Sequence, residues 1–134
     1  LAYLVICQKS DCSSKAIANS VEANPSVIRN LMSDLKNANL IISHQGIAQP
    51  KLNKIPSEIS IFDIYQAINT NHHLLHIDHK TNPKCIVGKN IQASLKEIYK
   101  DIEKSAEDKM KQISLQDIVD DILLRNNNSK NISI

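Results

Sequence analysis

Five side chains able to hydrogen-bond to base edges recur at one helical spacing: Ser26, Arg29, Asn30, Ser33 and Asn37. Arginine can fork onto guanine O6 and N7, asparagine can pair with adenine N6 and N7, and short hydroxyls can reach a base or a phosphate. At about 100° per residue, the five share roughly 100° of a helix circumference. Val27, Ile28, Leu31, Met32, Leu35 and Ala38 fall on the other side, where they must be buried, so the polar face must point out. Asn24 suits the cap of this helix and Pro25 its first position, where a missing N–H costs nothing. A shorter helix carrying Ile17, Ala18 and Val21 precedes it, capped by Ser13 or Ser14. The stretch 13–40 therefore reads as a helix-turn-helix, a device for laying one helix in a DNA major groove. Ser14 and Lys15 open the first of the two helices, whose positive end suits a phosphate.

The elements around this pair extend the pattern. Residues 1–9 look like the end of a buried helix. Leu40-Ile41-Ile42 and Gln49 to Leu52 suit a two-stranded hairpin around Gln45-Gly46, with Pro50 keeping the second strand at an edge. That hairpin is a wing, and His44, Gln45, Lys51 and Lys54 on it can lie along a phosphate backbone. Ser60-Ile61-Phe62-Asp63 is a capping-box variant opening a helix to about Asn69, with Ile59 placed to staple onto Ile64. Residues 70–86, rich in Asn and His, read as an irregular loop and a candidate sensor segment.

A long helix is expected from about Val87 to Gln112. Its apolar positions Ile91, Leu95, Ile98, Ile102, Ala106, Met110 and Ile113 are spaced four, three, four, four, four and three, like a coiled-coil seam with a slip. That stripe outruns any small tri-helical core, so a two-fold dimer through Ile91, Leu95, Ile98, Ile102 and Met110 is its simplest cover. Ser114-Leu115-Gln116-Asp117 caps a last helix, and 125–134 reads as a disordered tail. The expected organisation is thus a winged helix-turn-helix domain (1–69), the loop (70–86), dimerisation helices (87–124) and the tail. The fold class is mainly α with a small β-hairpin wing.

Composition removes several alternatives. The 42% apolar share suffices for a core, which must be aliphatic because Tyr3, Tyr65, Tyr99 and Phe62 are the only aromatics. Two glycines exclude the glycine-rich phosphate loops. No eighteen-residue apolar run exists to span a membrane. Three cysteines without a CxxC argue against a disulfide framework and fit a reducing cytoplasm. No signal peptide is visible, and Leu1 opens in mid-helix, so residues upstream are expected. No serine or cysteine has a base at a telling spacing, so an enzyme is not expected.

Two other constellations carry chemistry. His72, His76 and His79 have helical spacing and lie near Cys85, yet they match no recognised metal-ligand spacing, and no metal is expected. Cys85 precedes a helix start between Lys84 and Lys89, surroundings that favour a thiolate, so it is a candidate redox residue. A thiol- or metal-responsive sensor working through this region, and a winged-helix module that binds protein rather than DNA, are the alternative readings.

The order SSKAIANSVEANPSVIRNLMSDLKNANLI, a wing, IPSEISIFDIYQAI and NPKCIVGKNIQASLKEIY resembles the Rrf2 family of bacterial transcription regulators (the IscR, NsrR and CymR type), and within it the YwnA-type members. The resemblance covers the chain to about Leu124. It implies a homodimeric winged-helix repressor joined through the long helix and binding a palindromic site in double-stranded DNA. It places the recognition helix at 25–39 and the wing at about 42–52. Cluster-bearing members hold an iron–sulfur cluster with three cysteines in the segment equivalent to 70–90. Here that segment has Cys85 alone, so neither a cluster nor another cofactor is expected.

Overall fold

The computed structural model describes residues 1–43, 49–69, 71 and 73–132. Helix α1 (Ala2–Ile6) is followed by α2 (Ser14–Ser20) and α3 (Pro25–Asn37). The sequence's caps hold them. Ser13, not Ser14, caps α2, its Oγ accepting from the Ala16 amide at 3.2 Å. Asn24 caps α3 by accepting from the Ser26 amide at 2.9 Å, and Pro25 occupies the first turn.

Both helices end on a residue in the left-handed region, Glu22 (φ 51°) after α2 and Asn39 (φ 57°) after α3. In each case the following amide reaches back to close the last turn, Ala23 to the Ala18 carbonyl and Leu40 to the Leu35 carbonyl, both at 2.9 Å. This is the Schellman arrangement, and at α3 the apolar pair Leu35 and Leu40 that accompanies it is buried. It turns the chain sharply into strand β1 (Ile41–Ile42), which pairs antiparallel with β2 (Lys51–Leu52), Ile41 opposite Leu52 and Ile42 opposite Lys51. The expected wing hairpin is present, with strands shorter than the sequence suggested.

After a 3₁₀ turn (Pro56–Glu58), α4 (Ile61–Ile68) starts on a full capping box. The Asp63 amide donates to Ser60 Oγ at 3.0 Å and the Ser60 amide to Asp63 Oδ2 at 2.8 Å. Ser114 and Asp117 repeat the device at the start of α6 (Leu115–Ile132). The two boxes lie side by side: Ser60 and Ser114 form an antiparallel bridge, Ile61 N–H donates to the Ile113 carbonyl, and Leu115 N–H to the Ile59 carbonyl. Between them α5 (Ile86–Lys111) runs for 26 residues, about 39 Å.

The core joins Leu4, Cys12, Leu35, Leu40, Ile41, Ile59, Leu115 and Val119. The opening of α6 is therefore built into the winged helix, packed on α1, rather than standing apart among helices of the 87–124 segment. The chain beyond residue 124 departs from the tail expected there, because α6 stays helical to Ile132. Its side chains from 121 to 130 are exposed, so tertiary burial does not hold it. Local bonds extend the anchored helix instead: Arg125 Nε donates to Asp121 Oδ2 at 2.6 Å, and Ser129 Oγ to the Arg125 carbonyl at 3.0 Å.

Candidate nucleic-acid interface

Helix α3 stands on Ile28 and Leu35, which are buried, with Leu31 and Met32 half-buried beside them. This anchoring turns Ser26, Arg29, Asn30, Ser33 and Asn37 outward, all exposed as their spacing required. Arg29 has no ion pair among the described residues, so its guanidinium fork is unoccupied. Ser26 Oγ donates to Asn24 Oδ1 at 2.8 Å, which leaves its lone pairs rather than its proton on offer.

Two residues at one edge of the apolar stripe differ from expectation. Val27 is 50% exposed and Ala38 is exposed, because both sit well off the line through Ile28 and Leu35 that faces the core. Val27 thus adds an apolar group beside the polar face, of the kind that meets a thymine methyl. Lys36, also exposed, adds a charge on the other flank. The sequence expectation put Val27 among the buried residues and did not single out Lys36; the stripe's angular centre is the signal that could have placed both.

At the start of α2, Lys15 is exposed and Ser14 half-buried. Asp11 sits against the same end, accepting from the Ser13 amide at 2.8 Å and from Ser13 Oγ at 3.0 Å. On the wing, Lys51 and Lys54 are exposed and Lys51 is unpaired among the described residues. His44 and Gln45, the other wing positions, lie outside the described residues.

The stripe of α5 is largely uncovered. Ile91 is 37% exposed, Ile98 53% and Ile102 49%, while Leu95 and Met110 are half-buried. Cover grows toward the C-terminal end of α5, where Lys111 Nζ lies 4.5 Å over the Phe62 ring of α4.

Cys85 is exposed at the N-terminus of α5, where the nearby backbone amides of Gly88 and Val87 hold the thiol below its ordinary pKa. Burial pushes the Cys12 thiol the other way. Gly88 is obligatory in this first turn, since a Cβ there would run into the Asn82 carbonyl.

The chain matches the Rrf2 family, described as iron-dependent transcriptional regulators, over residues 1–121. It therefore belongs to the Rrf2 family of winged helix-turn-helix DNA-binding transcriptional regulators, which are not enzymes. Within it, the chain is 36% identical over 107 residues to YwnA of Bacillus subtilis (strain 168), named as an HTH-type transcriptional regulator, covering 80% of each chain. A crystal structure named as that of a DNA-binding protein is 35% identical, with a TM-score of 0.66 over 83% of this chain and 86% of that one. CymR, the global cysteine regulator of B. subtilis, shares the fold at 20% identity, with a TM-score of 0.57 over 81% of this chain and 76% of its own.

Among the described residues the iron in the family's description finds no fitting set of donors. Among the described residues no three His, Cys, Asp or Glu side chains converge to hold a metal ion. Of the thiols, Cys12 is buried in the core, where its Sγ donates to the Cys7 and Ser10 carbonyls at 3.6 Å, and only Cys85 lies near α5. His73, His76 and His79 are exposed, and His72 lies outside the described residues. No helix of the described residues is long and apolar enough to cross a membrane.

Proposed function

We propose that the chain acts as a homodimeric repressor, paired through α5 and presenting two copies of α3 to a palindromic operator. The observation that carries this reading is the pairing of two unsatisfied surfaces in one fold. One is the outward polar face of an anchored α3, and the other is the uncovered apolar stripe of α5. Two-fold pairing satisfies the second and sets the first at two half-sites.

In this reading Arg29 forks to a guanine and Asn30 to an adenine, with Val27 against a thymine methyl. Ser33, Ser14 and the lysines hold phosphates. Lys15 supplies the attraction at α2, because Asp11 already occupies that helix end. Ser26, its proton committed to Asn24, accepts from a donor rather than holding a phosphate.

Gel shifts on the promoter of the chain's own gene at two salt concentrations test the assignment. Arg29→Ala should cost about 1–3 kcal/mol and relax preference at one base pair per half-site. Lys51→Ala should weaken all sequences alike and flatten the salt dependence. Operator binding unchanged by both substitutions would exclude this face.

A further inference from the structure

The loop before α5 arches over that helix and is held at two points. Near one end, the Leu74 and Leu75 amides both donate to Glu103 Oε1, at 2.9 and 3.2 Å, and His73 Nδ1 lies 3.4 Å from Oε2. Near the other, Gln92 Nε2 donates to the Asp78 carbonyl at 2.9 Å. Gln92 and Glu103 are about three helical turns apart, roughly 16 Å. Between them the loop and the helix border a half-open cleft of about 760 Å³, within the usual range for small-molecule sites.

The lining is chemically lopsided. Glu103 is its one carboxylate among the described residues, and that carboxylate is engaged by the loop. Lys96 and Lys100, one turn apart on α5, also line the pocket, and neither is ion-paired among the described residues. Like charges at this spacing repel, a cost that an anion between them would relieve. The Tyr99 hydroxyl has no hydrogen-bond partner among the described residues. Leu74, Leu75 and Ile77 supply an apolar wall from the loop.

We propose that this pocket binds a small organic anion, its acid group held by Lys96 and Lys100 with Tyr99 as a further donor, and its hydrocarbon body against Leu74, Leu75 and Ile77. The pocket lies on a different face of α5 from the Ile91–Ile98–Ile102 stripe, turned by about 130°. An occupant therefore braces the loop against the helix without covering the stripe. That it acts as an effector of operator affinity rests on the function proposed above, whereas the site itself does not.

The test titrates the full chain with benzoate, hexanoate and phenyl phosphate, and with benzylammonium as a cation of similar size, following amide shifts by NMR. At least one anion should saturate, with shifts gathered at residues 73–79 and 96–103, and benzylammonium should not. The double variant Lys96→Gln/Lys100→Gln should weaken binding at least tenfold, while Lys104→Gln/Lys109→Gln on the same helix should leave it unchanged. Circular dichroism checks that both variants stay folded. No saturation by any of the three anions, or equal losses in the two variants, overturns the site. A saturating anion that leaves operator affinity unaltered overturns the effector role alone. A chain that binds the anion but no operator overturns the DNA-binding reading and leaves the pocket standing.

Discussion

Truncating the α5 stripe is the most direct trial of the proposed pairing. Ile98 and Ile102 are 53% and 49% exposed, so about half of each surface is left for a partner to bury. Full burial of an isoleucine is worth roughly 1.5–3 kcal/mol, which puts the remaining half near 1 kcal/mol per side chain. A two-fold interface uses each residue twice, so Ile98→Ala/Ile102→Ala removes about 4 kcal/mol from association, close to a thousandfold in the dimer dissociation constant. The monomer fold should change little. Alanine's better helix propensity, up to ~0.7 kcal/mol per site, offsets part of the lost local packing. Sedimentation equilibrium over a concentration series reads the association directly, and circular dichroism confirms that α5 stays helical. The expected outcome is a variant that dissociates where the parent is dimeric, and that binds a single half-site better than it binds the full palindrome relative to the parent. A parent monomeric at every accessible concentration, or a variant that associates as well as the parent, would refute the argument.

Other outcomes follow from individual residues. Glu22 holds a left-handed backbone at the end of α2, so Glu22→Gly should stabilise the chain by up to about 1 kcal/mol, read as a rise in melting temperature. Iodoacetamide should alkylate exposed Cys85 first, with a rate midpoint below that of an ordinary thiol, while buried Cys12 should react only on unfolding. The Leu75 amide, with His73 and the Leu74 amide, holds the Glu103 carboxyl below the usual carboxylate range. A depressed folded pKa means that its support for the loop is complete above the unfolded value and is lost as pH falls through the folded one. The Leu74 and Leu75 amide signals should accordingly titrate together, with a midpoint below 4.5; a midpoint at or above that value would disprove the contact.

What could be read from the sequence was what local spacing and capping decide. The outward face of α3 follows from its 3.6-residue period, and the Asn24-Pro25 start and the Ser60-Asp63 box are written in consecutive residues. The wing was visible as two apolar runs around a glycine. What escaped depends on distant partners. Glu103 receives the Leu74 amide from 29 positions away, and nothing in either segment announces the other. Leu115 and Val119 look like any amphipathic stripe until Leu4 and Ile59 are found against them. Residues 125–132, polar and rich in asparagine, read as a tail because composition registers weak propensity but not the anchored helix from which they propagate. Val27 stands exposed because it lies at the stripe's margin, about 90° from the line through Ile28 and Leu35, and membership of the stripe alone does not decide burial there.

The bridge between Ser60 and Ser114 brings the chain back, after α4 and α5, to the spot where α4 began, and α4 itself packs on both α3 and α5. The long rod is therefore mounted at its C-terminal base, by this bridge and by its packing on α4, like a lever clamped at one end. A twist applied along it meets α3 by two routes, through α4, which packs on α3, and through Ile59 and Leu115, which share a core with Leu35.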